Sequence, residues 1–157
     1  MRLTFVWIGK TKNKHWAALE QDYLARIEHF APCQIQIVRE AKGVAEPAMR
    51  GRALEQEATA ILKAIRPDAY AVLLDERSTI QSSQDLVTLI SQRQQHGVKE
   101  MAFIVGGASG VAPSVRQRAD STLSLSKMTF PHEMARTVLL EQVYRAFAII
   151  HNLPYPR

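Results

Sequence analysis

The sequence predicts an α/β fold, a mainly parallel sheet with flanking helices, and three observations carry that prediction. Segments of strand character alternate with segments of helical periodicity along the whole chain, the pattern of a sheet built from crossovers. Two strand segments, residues 69–74 and 101–105, are unbroken apolar runs, as suits strands covered on both faces. The chain has 157 residues, 46% of them hydrophobic, enough to bury one real core. No internal repeat, low-complexity stretch or linker divides it, so residues 1–157 read as a single domain.

The elements follow in order. Residues 2–8 form a strand in which Leu3, Phe5, Val6, Trp7 and Ile8 are apolar. Gly9-Lys10-Thr11-Lys12-Asn13-Lys14 is a basic loop. A helix over 15–29 places Trp16, Leu19, Tyr23 and Ile27 on one face. Pro32 ends that region, and 34–38 alternates polar and apolar residues as a half-buried strand does. Residues 41–50 are irregular and polar. A helix over 53–65 carries Leu54, Ala58, Ile61 and Ile65 at helical spacing, with Pro67-Asp68 after it. The apolar strand 69–74 ends at Asp75. Ser82, with Asp85 three residues on, starts a helix that runs to 95 and stops at His96-Gly97. Strand 101–105 runs straight into Gly106-Gly107-Ala108-Ser109-Gly110, and Pro113 opens a short helix to 119. A short strand at 121–125 and a loop at 126–131 lead to the longest helix, 132–152, which Pro154 follows.

Composition excludes several function classes. Cys33 is the single cysteine, so neither an internal disulfide nor a cysteine zinc site is expected, and a reducing cytoplasm is the natural compartment. No stretch approaches the roughly 18–20 apolar residues of a membrane span, and the first residues lack the pattern of a secretory leader. None of His15, His29, His96, His132 and His151 has a histidine four residues away, so no metal is expected. No Gly-x-Ser-x-Gly elbow supports acyl transfer. The net charge of +5 suits a polyanionic partner, nucleic acid first; the alternative is a protein that is basic without consequence.

Ligands of parallel sheets bind beyond the carboxyl ends of strands, which points to Leu74-Asp75, Gly106-Gly107 and 125–130. The glycine loop 106–110 reads either as a platform of bare amides or as a tight strand-to-helix turn. It has neither G-x-G-x-x-G spacing nor a Walker lysine. The 125–132 segment, Leu-Ser-Lys-Met-Thr-Phe-Pro-His, offers backbone groups to an adenine with Met128 and Phe130 over its faces, or is an ordinary connection capping the core. In the last helix, Leu139, Leu140, Val143, Ala146, Phe147 and Ile150 form a wide apolar arc, with Val138 and Ile149 outside it. So much apolar circumference predicts a partner subunit on the second side; the alternative is a central helix within one monomer. Arg136 sits near that arc in the first turn, placed to reach an anion or to snorkel. Glu141 and Arg145 are spaced to pair.

From Leu74 onward the chain resembles the ribosomal RNA large-subunit methyltransferases of the RlmH type, minimal enzymes of the SPOUT class. The residues carrying the resemblance are Leu73-Leu74-Asp75, Phe103 to Gly107 with Gly110, Leu123 to Phe130, His132-Glu133-Met134 with Arg136, Leu140 to Ala146, and the ending from Asn152. The N-terminal half is similar more loosely, through Gly9-Lys10 and the helix after it. The chain departs from the pattern at Pro156, where a histidine is usual before the final arginine, and at Ser78, where glycine is common.

The resemblance implies a SPOUT-type fold with a C-terminal trefoil knot, a cytoplasmic homodimer, and S-adenosylmethionine as methyl donor. It implies cofactor contacts at Leu74, Gly106, Leu125, Ser126, Lys127, Met128, Thr129 and Phe130. The implied acceptor is N3 of a pseudouridine in a hairpin loop of 23S rRNA, within the assembled ribosome. Arg136 is the candidate catalytic cation, which with Arg157 could stabilise an anionic ring. The base is open between His132 and Glu141. Lys10, Arg136, Tyr155 and Arg157 are the expected RNA contacts. A ribosome-binding module with the same fold and an unused pocket is the rival reading, and a generic nucleotide-binding α/β protein a second.

Overall fold

The computed structural model describes residues 1–155; Pro156 and Arg157 lie outside the described residues. Five strands, β1 (Arg2–Ile8), β2 (Cys33–Val38), β3 (Tyr70–Leu74), β4 (Glu100–Val105) and β5 (Ser121–Leu123), form one sheet of order β2-β1-β4-β3-β5. Every pairing is parallel. The helices are α1 (Lys14–Glu28), α2 (Arg50–Ala64), α3 (Ser83–Gln95), α4 (Pro113–Arg118) and α5 (His132–Ile150).

Strand alternation sorts the core into two layers. Leu3, Phe5, Trp7, Met101, Phe103 and Val105 face α1, α3 and α5. Val6, Ile8, Leu73, Ala102 and Ile104 face α2 and α4. The central strand β4 is buried at every position, the reason its sequence is continuously apolar from Met101 onward; buried Glu100 at its start accepts the Thr4 hydroxyl. The predicted start of α3 is a full capping box: the Ser82 hydroxyl accepts from the Asp85 N–H while Asp85 accepts from the Ser82 N–H. Gly97 follows with φ +72°, a conformation glycine adopts without strain.

The packing of two helices differs in detail from their apolar stripes. On α1, Leu19 is 39% exposed while Glu20 is buried. The helix is rotated from the apolar stripe because Glu20 turns inward to accept the Thr11 hydroxyl at 2.6 Å. On α5, most of the apolar arc is covered within the chain by α1, α3 and β4. The arc itself therefore packs inside the chain, and a partner subunit would have to meet the helix on its remaining side. Of the two outlying positions, Val138 is half-buried and Ile149 is 41% exposed. Glu141 and Arg145 pair at 2.7 Å, as their spacing predicts.

Candidate functional site

The carboxyl ends of β3, β4 and β5 open into one cleft of about 720 Å³, within the range of small-molecule sites. Three chain segments build it, and each is fixed by local chemistry.

The first is the turn after β3. The Asp75 N–H donates to the Leu123 carbonyl at 3.0 Å, extending the sheet by one rung. The Asp75 carboxylate is almost fully buried; it is ion-paired with Arg116 of α4 and accepts the Arg77 N–H at 3.1 Å. Ser78 closes the turn with both its N–H (3.0 Å) and its hydroxyl (2.9 Å) on the Asp75 carbonyl. Ser78 is not in the left-handed region, so this turn does not need the glycine common there.

The second is the glycine loop. Gly107 and Gly110 form an isolated bridge, with the Gly110 N–H on the Gly107 carbonyl at 3.0 Å and Gly110 at φ +79°. A Cβ on Gly106 would stand 2.9 Å from a Val111 methyl and 3.1 Å from the Gly110 carbonyl. The first glycine is therefore required by the fold of the loop itself, whatever it binds.

The third is the 124–131 segment, strapped beneath the 75–81 turn. Ile80 bridges to Ser124, and the Gln81 N–H donates to the Ser124 carbonyl at 3.2 Å. The Ser124 hydroxyl reaches the Ser126 carbonyl at 3.0 Å, the Met128 N–H donates to the Ser126 hydroxyl at 2.9 Å, and Thr129 donates to Glu76 at 2.9 Å. These bonds curl the segment over the cleft and leave Met128 78% exposed at its rim.

Of the residues expected to hold a cofactor, Leu74, Gly106, Leu125, Ser126, Met128, Thr129 and Phe130 line the cleft together. Lys127 points outward, exposed, and is not part of the lining. Asp75, at the strand end the sequence pointed to, also lines it; Arg116, Arg77 and Arg50, which line it too, carried no signal in the sequence. Asp75 was visible as the polar stop of an apolar strand, but its partner Arg116 lies 41 positions away.

The first turn of α5 closes the cleft with His132 and Ala135. Burial pushes the His132 imidazole below the ordinary histidine pKa, and the charge of Arg136 acts the same way. Glu141 is not part of the lining; nine residues on, it lies about 13 Å further along the helix axis, engaged with Arg145.

Arg136 is the main correction. Expected to reach an anion or to snorkel, and named as candidate catalytic cation and RNA contact, it is fully buried. Its guanidinium donates to the Ile8 carbonyl at 2.6 Å and to the Thr11 hydroxyl at 3.0 Å, and lies over the Trp7 ring. Burial works against its charge, and Glu20 and Glu133 support it. It therefore cannot meet an RNA phosphate in this conformation. Tyr155 is half-buried: its hydroxyl is 3.5 Å from that of Tyr23, and its ring lies edge-on to Tyr144 beneath Arg145. Lys10 is exposed on the loop beside the first turn of α5. Arg157 lies outside the described residues.

Among the described residues no cluster of three histidine, cysteine or acidic side chains could hold a metal, and no helix is long and apolar enough to cross a membrane. The Cys33 thiol is pushed up to about 11 by burial, which removes it as a nucleophile at neutral pH.

Comparison with known proteins follows the same lines. A family model described as "Predicted SPOUT methyltransferase" matches residues 1–156. The chain is 41% identical over 155 residues to ribosomal RNA large subunit methyltransferase H of Geobacter sulfurreducens, covering 99% of both chains. It is 36% identical to the protein of the same name from Desulforamulus reducens, covering 99% of this chain and 98% of that one. Among solved structures, a probable methyltransferase from Bordetella pertussis superposes with a TM-score of 0.60 at 12% identity, covering 92% of this chain and 93% of that one; it shows the fold alone. A glycine-lined cleft at three strand ends, on a chain matched from end to end, places this protein in the SPOUT methyltransferase family, among the ribosomal RNA large subunit methyltransferases H.

Proposed function

We propose that the chain is an S-adenosylmethionine-dependent methyltransferase that modifies N3 of a pseudouridine in a hairpin loop of 23S rRNA, acting as a cytoplasmic homodimer on the assembled ribosome. The observation that carries this reading is the convergence of the glycine loop, the 124–131 segment and the first turn of α5 on one cleft. The 75–81 turn clasps the 124–129 segment by the bonds described above, which supports a threaded C-terminal segment as the family's knot requires.

The residues present fit the donor. Leu74, Val105, Leu125 and Phe130 give the cleft apolar walls, while Ser126, Thr129 and the backbone around them supply polar groups. Exposed Met128 at the rim is available to cover a planar base. Bound there, S-adenosylmethionine would supply an electrophilic methyl group on a sulfonium. The chain's part is to orient the acceptor, exclude water and receive a proton. A pseudouridine N3 carries a proton that must leave. His132 lines the cleft, and burial with the charge of Arg136 lowers its pKa, which favours the neutral imidazole a base needs; it is assigned as the base in preference to Glu141, which is not part of the lining. Exposed apolar side chains at Leu19, Ile149 and Leu153 offer surface to a second copy, which light scattering would detect as a dimer at micromolar concentration.

Calorimetric titration tests the donor assignment directly. S-adenosylmethionine and S-adenosylhomocysteine should bind, and ATP should not; equal binding of all three would favour a generic nucleotide site. Methyl transfer from labelled donor to ribosomes lacking the modification separates an enzyme from a silent binding module.

A further inference from the structure

The cleft leaves one strongly charged segment of the molecule without a role, the basic loop 9–14. Lys10, Lys12 and Lys14 are exposed, and among the described residues none has an ion-pair partner. The loop is nevertheless tightly held, and held from α5. The Glu133 carboxylate accepts the Lys12 N–H at 2.5 Å and the Asn13 N–H at 3.2 Å. Arg136 holds the Ile8 carbonyl and Thr11 from behind. Glu133 serves the loop while its own helix begins at Pro131 with no side-chain cap, so this carboxylate is directed at another element across 120 positions of chain.

Helical geometry then fixes a relation. Positions i and i+3 lie on one face. His132 and Ala135 face the cleft, while Glu133 and Arg136 face the loop. One helical turn thus sets the distance between the methyl-donor cleft and a row of unpaired ammonium groups.

We infer that loop 9–14 is the phosphate clamp for the acceptor RNA, and that Glu133 and Arg136 are positioning residues that hold it in register with the cleft. This rests on the methyltransferase reading and adds to it where the acceptor strand lies. Phosphates engage Lys10 and Lys12, and the register delivers the base in front of His132.

The test uses the full-length protein and ribosomes lacking the modification. The variants are Lys10→Gln/Lys12→Gln, Glu133→Gln, Arg136→Gln and Arg136→Lys. The double lysine variant should flatten the dependence of log affinity on log salt by about 1.4–1.8, two lost phosphate contacts. Glu133→Gln should raise KM for ribosomes several-fold while kcat and S-adenosylhomocysteine affinity stay within about twofold. Arg136→Lys should recover part of the KM lost in Arg136→Gln, since it keeps charge but not the fork. Should the Arg136 variants fail to fold, the lysine pair and Glu133→Gln carry the test alone. A wild-type salt slope in the double lysine variant, or an unchanged KM in Glu133→Gln, overturns the clamp. A change in donor affinity as large as the change in KM overturns it equally, since loop register alone would not cause that. Wild-type protein that fails to bind S-adenosylhomocysteine but binds ribosomes with the lysine-dependent slope supports the clamp and removes the donor reading instead.

Discussion

Gly106→Ala isolates what the glycine loop does, because the structure says what a single added methyl group meets. Its Cβ would approach a Val111 methyl to 2.9 Å and the Gly110 carbonyl oxygen to 3.1 Å. The methyl can move; the carbonyl cannot without shifting the Gly107–Gly110 bridge, which carries one hydrogen bond at 3.0 Å and a residue at φ +79°. Overpacking of this kind costs about 1–3 kcal/mol. For a chain of this length that is a fall in Tm of roughly 2–4 °C per kcal/mol. The loop forms part of the cleft lining, so donor affinity should fall at least about tenfold, or 1.4 kcal/mol. The assays are thermal melting and calorimetric titration with S-adenosylhomocysteine. Gly106→Ala/Val111→Ala should recover part of the affinity, because it removes the closer of the two contacts. Gly106→Ala with the wild-type Tm and affinity would refute the reasoning, since it would mean the loop absorbs a Cβ without moving.

Other outcomes are equally definite. Asp75→Asn removes the carboxylate facing Arg116 and Arg77; urea unfolding should show a loss of about 1.5–3 kcal/mol, with weaker donor binding. Phe147→Ala deletes a fully buried ring stacked on Phe30 at 5.7 Å and should cost about 3–5 kcal/mol by the same measurement. His132→Gln should cut single-turnover methylation roughly a hundredfold or more and abolish the acidic limb of its pH profile, which in wild type falls below the ordinary value of 6.5. Because that histidine's folded pKa is depressed, the unfolded chain binds more protons just below pH 6.5. Wild-type stability should therefore decline with falling pH from about 6.5 and level off below the folded value, a trend absent in His132→Gln.

Most of the fold was legible because its signals are local. Continuous apolar runs marked β3 and β4, a Ser-x-x-Asp start marked α3, and a glycine marked its end; all three are set by neighbours within a few residues. The cleft was legible for a related reason: in a parallel sheet the carboxyl ends of strands share one edge, so finding the strands finds the site. Helix rotation was less legible. Trp16, Leu19, Tyr23 and Ile27 make a plausible apolar stripe, yet Glu20 turned inward, because Arg136 and Thr11 wait for it there. The bonded partner of Glu20, Thr11, lies nine positions back across a loop, outside any helical spacing, and the balancing charge of Arg136 lies more than a hundred positions on, so neither leaves a periodic signature. The breadth of apolar surface on α5 has a cause within the chain. A helix can be apolar over much of its circumference simply because two helices and a sheet of its own chain surround it.

Arg136 joins these two lessons. Read along the sequence, an arginine in the first turn of a helix gains nothing from the helix dipole, which left an external anion or a snorkelling position open to it. In the structure it is satisfied by a carbonyl 128 positions away and a hydroxyl 125 positions away, with Glu20 and Glu133 balancing its charge. A buried guanidinium held this way depends on its hydrogen-bond acceptors, since an unsatisfied buried donor costs about 1–3 kcal/mol. Its value must then lie in what it fixes, which is the end of β1 and the basic loop that begins there. Burial first, and this same charge after it, lower the pKa of His132. One buried guanidinium thus reaches two places, the start of the basic loop through Ile8 and Thr11 and the His132 imidazole through its charge, which is why the Arg136 variants are read against both ribosome KM and the pH profile.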